Sequence, residues 1–193
     1  MTESLNLYMA LAHYPVAGKN GKTIASALTN LDLHDMSRLA RTYGARKFYV
    51  VTPLSDQREL GRRILEHWTS GPGGVYNPMR KEALDLAEIA DSLEAAVSDI
   101  ARRRGQKPRV VATTADADRA NLSFGALREK LAAGEPCLLV FGTAWGLADE
   151  CFRAADHVLS PIKGRGDYNH LPVRCAAAII LDRLAGPGSR RVN

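Results

Sequence analysis

Residues 137–147 read CLLVFGTAWGL: five apolar residues, Cys137 to Phe141, run into two glycines with three residues between them. A short apolar run closed by glycine is the pattern of a strand buried on both faces, and such strands belong to parallel sheets covered by helices. Upstream, Leu127 and Leu131 have helical spacing and stop at Gly134; downstream, His157 to Leu159 is another short apolar run, and Val173 through Leu184 is helical in spacing up to Gly186. The alternation continues toward the N-terminus. Leu5 to Leu11, Lys47 to Thr52 and Arg109 to Thr113 are read as strands, while Leu33 to Gly44, Leu60 to Trp68, Leu84 to Ile89 and Leu93 to Gly105 carry helical spacing. Gly44, Gly105, Gly134 and Gly186 follow the last periodic residues, where a left-handed cap is wanted. Strands alternating with helices predict an α/β fold, a parallel sheet flanked by helices.

Composition narrows the functional classes. With 193 residues, 46% apolar and 24% charged, the chain is neither disordered nor fibrous, and it is long enough to bury a core without disulfides or a structural metal. One domain over residues 1–186 with a flexible tail over 187–193 is expected, and GPGGVYNP at 71–78 reads as a mobile loop, either a surface connection between two helices or a lid. Cys137, Cys151 and Cys175 are odd in number and lack any C-x-x-C pairing, which fits a reduced, cytoplasmic setting. No run approaches the ~20 apolar residues of a membrane span. The net charge of +5 is unevenly placed: residues 1–52 hold six basic against three acidic residues and 107–193 hold twelve against nine, whereas 53–106 hold eight against nine. An anionic partner would meet the two outer segments.

In a parallel sheet, ligands gather at the carboxyl ends of the strands. Three loops there carry the chemistry: Thr113 to Asp116, Gly142 to Leu147, and the polar stretch Ser160 to His170. The glycine loop fits neither the dinucleotide fingerprint nor the P-loop, which sets those phosphate cradles aside. What two glycines so close permit is near approach of a ligand to bare backbone.

The segments LLVFGTAWGL, ADHVLSPI and YNHLPVRCAAAIILDRL, in that order, resemble the three-motif signature of SPOUT RNA methyltransferases. Leu171 to Ile179 sits where that family opens its last helix with a Ser-Leu-Asn-Val-Ser-like turn. Arg38, six residues before Gly44 and followed by the strand Lys47 to Thr52 and Pro53, looks like the family's first motif. More narrowly, AHYPV, TNLDLHD and DYNHLPVR are similar to a bacterial branch of SAM-dependent RNA methyltransferases, found alone or attached to a tRNA guanine-N1 methyltransferase. Two places depart from the pattern. Thr143-Ala144-Trp145 stands where 2′-O-methyltransferases carry a Glu, the nearest carboxylates being Asp149 and Glu150. The Asn of the first motif falls on Asp32, and the Ser/Asn pair of the last on His170 and Pro172.

The resemblance implies a deep trefoil knot in the C-terminal half, a homodimer, S-adenosylmethionine as cofactor and RNA, tRNA foremost, as substrate. It implies that Gly142, Gly146 and Gly164 hold the cofactor's adenine by backbone groups between apolar walls of Ile162, Leu171 and Val173, side chains that would serve equally as core. Thr114 and Ser160 would reach its ribose or methionine end, and Thr143, Tyr168 and Asn169 complete the pocket. A ring nitrogen or a ribose hydroxyl must lose a proton, for which Asp167 is the first candidate base and His170 the second. His170 is alternatively a cap of the last helix. Arg38 suits a phosphate or a developing oxyanion, and Lys19, Lys22, Asn30, Asp32 and His34 are candidate RNA contacts. The missing glycine-loop Glu keeps a cofactor-binding RNA-recognition module with little activity as an alternative, and a different nucleotide-binding α/β enzyme as another.

Overall fold

The computed structural model describes residues 5–166 and 168–187. In chain order the strands are β1 (Leu7–Ala12), β2 (Val16–Ala17), β3 (Thr23–Ile24), β4 (Lys47–Val51), β5 (Ala87–Ala90), β6 (Arg109–Thr113), β7 (Cys137–Gly142) and β8 (His157–Leu159). The helices are α1 (Asn30–Thr42), α2 (Ser55–Thr69), α3 (Pro72–Tyr76), α4 (Pro78–Leu84), α5 (Leu93–Arg104), α6 (Phe124–Ala132), α7 (Asp149–Ala154) and α8 (Val173–Ala185). Six strands form one sheet in the order β5-β4-β1-β7-β6-β8, every pair parallel, while β2 and β3 make a small antiparallel hairpin. The parallel α/β expectation holds.

Alternation along the central strands divides the interior into two cores. Leu7, Met9 and Leu11 of β1, Phe48 and Val50 of β4, and Leu139 and Phe141 of β7 point into the core beneath α1, α6 and α8. Tyr8, Ala10, Ala12, Tyr49, Val51, Leu138 and Val140 point the other way, toward α5 and α7. Each large side chain removed from water in this way contributes about 1.5–3 kcal/mol. On the α5 side the buried polar group is Asp99, which accepts a hydrogen bond from the Tyr49 hydroxyl at 2.8 Å and is paired with Arg103 at 2.6 Å and Arg102 at 2.9 Å. Arg102 and Arg103 at the end of α5 therefore have a structural use.

Several expectations are corrected. Leu84–Ile89 is not a helix: α4 ends at Leu84, and Ala87–Ala90 is an edge strand paired with β4, its half-buried Glu88 held by Lys47 at 2.6 Å. The mobile loop expected at 71–78 is folded into α3 and the start of α4, with Pro72 and Pro78 at first-turn positions where a missing N–H costs nothing. Gly44, Gly105 and Gly134 do take positive φ, but Gly186 closes α8 at φ −67°. Cys175 is exposed, while Cys137 and Cys151 are buried. Pro187 is the last described residue, so the rest of the expected tail lies outside the described residues.

After the edge strand β8 the chain returns across the sheet, and α8 packs against α1, α6 and β7. No described helix is long and apolar enough to cross a membrane.

Candidate active site at the carboxyl ends of the strands

The glycine loop leaves β7 at the middle of the sheet and turns back at once. A Cβ on Gly142 would lie 2.5 Å from the Leu147 nitrogen and 2.7 Å from the Gly146 carbonyl carbon, so only glycine admits this turn. Ala144 and Gly146 have positive φ (51° and 103°), and above Gly146 there is open space. The loop is bound to the segment that follows β1. The Thr143 amide donates to the Ala12 carbonyl (3.3 Å), the Trp145 amide to Ala17 (3.2 Å), the Ala17 amide to Gly146 (2.9 Å) and the Ala148 amide to Pro15 (3.3 Å).

The first loop, after β6, is bridged to its neighbours. Thr114 Oγ1 accepts from the Asp116 amide (3.0 Å), and Arg119, just beyond, pairs with Asp149 at 2.8 Å where α7 leaves the glycine loop. Asp149, one of the carboxylates nearest the glycine loop, is thus already engaged. The third loop begins where the Ser160 amide and hydroxyl both donate to Leu122 (2.8 and 3.1 Å), and Asn169 ties it to the first loop by donating to the Ala115 carbonyl (3.0 Å). Ile162 and Val173 are half-buried, with Leu171 exposed beside them. Gly164 has nothing nearer to its missing Cβ than the Tyr168 carbonyl at 3.8 Å.

Tyr168 and His170 are exposed, their rings in edge contact at 5.2 Å, and Asp167 lies outside the described residues. His170 does not cap α8, because the N-cap is Pro172, which the chain reaches two residues later.

Arg38 stands apart from the glycine loop. It is exposed on α1 in a groove of about 470 Å³ shared with Pro172, Arg174 and Cys175 at the start of α8. Of the candidate RNA contacts, Lys19, Lys22 and Asn30 are exposed. Asp32 is buried and built into the start of α1: it accepts from the Thr29 amide and hydroxyl (3.3 and 2.6 Å), its own amide donates back to Thr29, and Arg174 approaches it at 3.8 Å. That reciprocal box satisfies the first amides of the helix, so the carboxylate is committed to the fold. His34 is half-buried, its ring 5.2 Å from Trp68, and burial together with Arg80 pushes its imidazole below the ordinary range.

One group at this edge of the sheet is absent from the sequence reading. His13 follows β1 directly, is fully buried, and joins Ser26 and Thr143 in a chain of hydrogen bonds. The rule that ligands gather at strand ends would have found it had it been applied to the first strand as well as to the last three. Among the described residues no group of three or more His, Cys, Asp or Glu could hold a metal.

Solved methyltransferase structures share this fold. The chain superposes on a probable methylase family protein from Haemophilus influenzae with a TM-score of 0.63 at 17% identity, covering 95% of this chain and 66% of that one. The SpoU methyltransferase AviRb from Streptomyces viridochromogenes, in complex with AdoMet, gives 0.59 at 18% identity over 96% and 58%, and the Aquifex aeolicus TrmH/SpoU tRNA modifying enzyme gives 0.59 at 18% over 96% and 76%. The sequence narrows this further: the model of the SAM-dependent RNA methyltransferase family matches residues 6–186, and the chain belongs to that family. A tRNA (guanine-N(1)-)-methyltransferase from Nitratidesulfovibrio vulgaris is 51% identical over 181 residues, 94% of this chain but 42% of that protein. An uncharacterized protein of Aquifex aeolicus is 40% identical over 180 residues, 93% of this chain and 88% of its own length. The chain therefore spans about two fifths of the named tRNA methyltransferase and nearly the whole length of the Aquifex relative.

S-adenosylmethionine is the cofactor of this family, and the residues at the carboxyl edge fit it. Open space over Gly146 exposes backbone, Ile162, Leu171 and Val173 offer an apolar flank, and Thr114 keeps its hydroxyl proton free to donate.

Proposed function

We propose that this chain transfers a methyl group from S-adenosylmethionine to a nucleotide of tRNA, at a site formed by its glycine loop and the two loops beside it. The observation that carries this reading is the bridging of the three loops: Asn169 joins the third to the first, and Arg119–Asp149 joins the first to the exit of the second. When bound, the cofactor supplies a sulfonium methyl that needs no activation, which leaves the protein to hold, align and deprotonate. Gly142, Gly146 and Gly164 present backbone, Ile162, Leu171 and Val173 enclose the adenine, and Thr114, Thr143, Ser160, Tyr168 and Asn169 supply polar contacts. Arg38, with its planar fork, takes a phosphate of the RNA, and Lys19, Lys22 and Asn30 extend the contact along the backbone.

The choice of tRNA is supported by the name of the Nitratidesulfovibrio relative, although that name describes a protein more than twice as long as this chain. A homodimer across the α1–α8 groove is part of the proposal, because Arg38 and the exposed Cys175 line it and a second copy would bring Arg38 to a neighbouring cofactor. So is the deep knot, which the return of the chain from β8 to α1 supports. Calorimetry with S-adenosylmethionine, followed by transfer of labelled methyl to bulk tRNA and rRNA, tests the reading. Binding with methylated tRNA is expected; no binding at millimolar cofactor would overturn it. The glycine loop's Thr143-Ala144-Trp145, which lacks a Glu, favours one rival, a cofactor-binding RNA-recognition module. Cofactor binding with no methyl transfer to any RNA would establish that rival.

A further inference from the structure

A buried histidine connects to the candidate site through two hydroxyls. His13 is 0% exposed at the end of the central strand β1, its amide bonded to the Val51 carbonyl and its own carbonyl to the Ser26 amide. Nδ1 lies 3.0 Å from Ser26 Oγ, and Ser26 Oγ lies 2.5 Å from Thr143 Oγ1 in the glycine loop. Ser26 and Thr143 are half-buried, so this end of the chain is the one that opens to the site. At the other end Nε2 is buried without a well-formed hydrogen bond. A buried ring nitrogen without a partner calls for an explanation, and a part in the chemistry is one.

We propose that His13, acting through Ser26 and Thr143, receives the proton that the RNA nucleophile releases, in the place where this glycine loop lacks a carboxylate. This rests on the methyl-transfer reading above. Each hydroxyl in the line can accept one proton while passing on its own. In the ready state the Thr143 hydroxyl, which also lies within donating distance of the Ala12 carbonyl at 3.1 Å, turns its proton to Ser26 and Ser26 donates to Nδ1, so the neutral ring carries its hydrogen on Nε2. As the nucleophile's lone pair forms a bond to the methyl carbon, the sulfur–carbon bonding pair stays on sulfur. The nucleophile's N–H or O–H bond breaks toward Thr143, and the Ser26 proton arrives on Nδ1. Solvent later removes it by the reverse path.

The surroundings suit a ring that is neutral at rest and briefly charged. Burial holds the imidazole below its ordinary 6.5, while the Asp32 carboxylate and the Ala27 backbone favour the protonated form. Asp32 is the charged group facing the ring, with Arg174 behind it at 3.8 Å.

Ser26→Ala cuts the line while leaving every residue assigned to the cofactor in place, Thr143 keeping its bond to the Ala12 carbonyl. Expected is a fall in kcat of about 100-fold or more, an unchanged KM for S-adenosylmethionine, and recovery in Ser26→Thr, which restores a hydroxyl. In the intact protein kcat should rise with pH through the His13 pKa, below 6.5, and level off above it; Ser26→Ala should lose that acidic limb. A purely structural histidine would instead give lowered stability with the limb intact, and that result would overturn the proposal. Nitrogen-15 NMR of the imidazole, independent of any RNA, decides the matter if no methylation is found. A neutral tautomer with hydrogen on Nε2 and a pKa that moves in Ser26→Ala supports the relay, whereas hydrogen on Nδ1 with an unmoved pKa refutes it.

Discussion

The glycine loop and the third loop both border the candidate site, yet they are held in opposite ways. Residues 143–148 are stitched by backbone hydrogen bonds to Ala12, Pro15 and Ala17, and their turn tolerates no Cβ at Gly142. Among the described residues of 160–170, hydrogen bonds fasten Ser160 to Leu122 and Asn169 to Ala115, Ile162 packs against the core, and Lys163 to Gly166 are exposed. The difference separates two tasks. A fixed loop can set the geometry of a reaction, while an exposed polar loop can meet a ligand.

Substitutions should expose that contrast. Gly142→Val should have the largest effect, because the added carbons meet backbone that cannot step aside. A loss of about 3 kcal/mol in urea unfolding is expected, with cofactor binding by calorimetry abolished. Wild-type stability in this variant would mean that the loop is as yielding as its neighbour.

The fixed region should also register pH. His13 is held neutral in the fold, with its pKa below the unfolded value, so the unfolded chain binds the proton more readily. Its contribution is therefore present above about pH 6.5 and lost as pH falls through the folded pKa, at up to about 1.4 kcal/mol per pH unit between the two values. The urea midpoint should drop between pH 7.5 and 5.5, with His34 acting in the same direction, and should drop less in His13→Gln.

Ser160→Ala removes the hydroxyl bond at the entry of the third loop and should cost about 1 kcal/mol by thermal unfolding. Gly164→Ala should be the mildest, within about 0.5 kcal/mol of wild type, since an added Cβ would meet nothing nearer than the Tyr168 carbonyl at 3.8 Å and its φ is not in the left-handed region. Any weakening of cofactor binding in that variant would then reflect the ligand's own approach to the backbone.

Much of the fold was legible because the central strands are apolar on both faces, and an uninterrupted run such as Cys137 to Phe141 has few other readings. β5 escaped because an edge strand may carry charge: Glu88 sits in its middle, paired with Lys47 and Arg103, so the segment lacks the apolar run that marks β7. The β2–β3 hairpin escaped because two strands of two residues leave no periodicity. Proline and glycine at 71–78 suggested a loop, yet Gly73 and Gly74 are buried where Cβ atoms would strike His67 and Trp68, so here they serve close packing. The candidate site was legible as loops at strand ends but not as a network. His13, Ser26 and Thr143 meet only after the strands are aligned, and nothing in their local sequence announces it.

The glycine loop reaches back to Ala12, a partner 131 positions earlier in the chain. On a ribosome, the first half of the protein would emerge with its middle strand unpaired on one side, waiting for β7 to be made. A contact of such long range slows closure of the sheet, and the interval leaves β1 with a bare edge open to other chains. Nascent chains stopped before residue 137 should accordingly need chaperone protection that the completed protein does not.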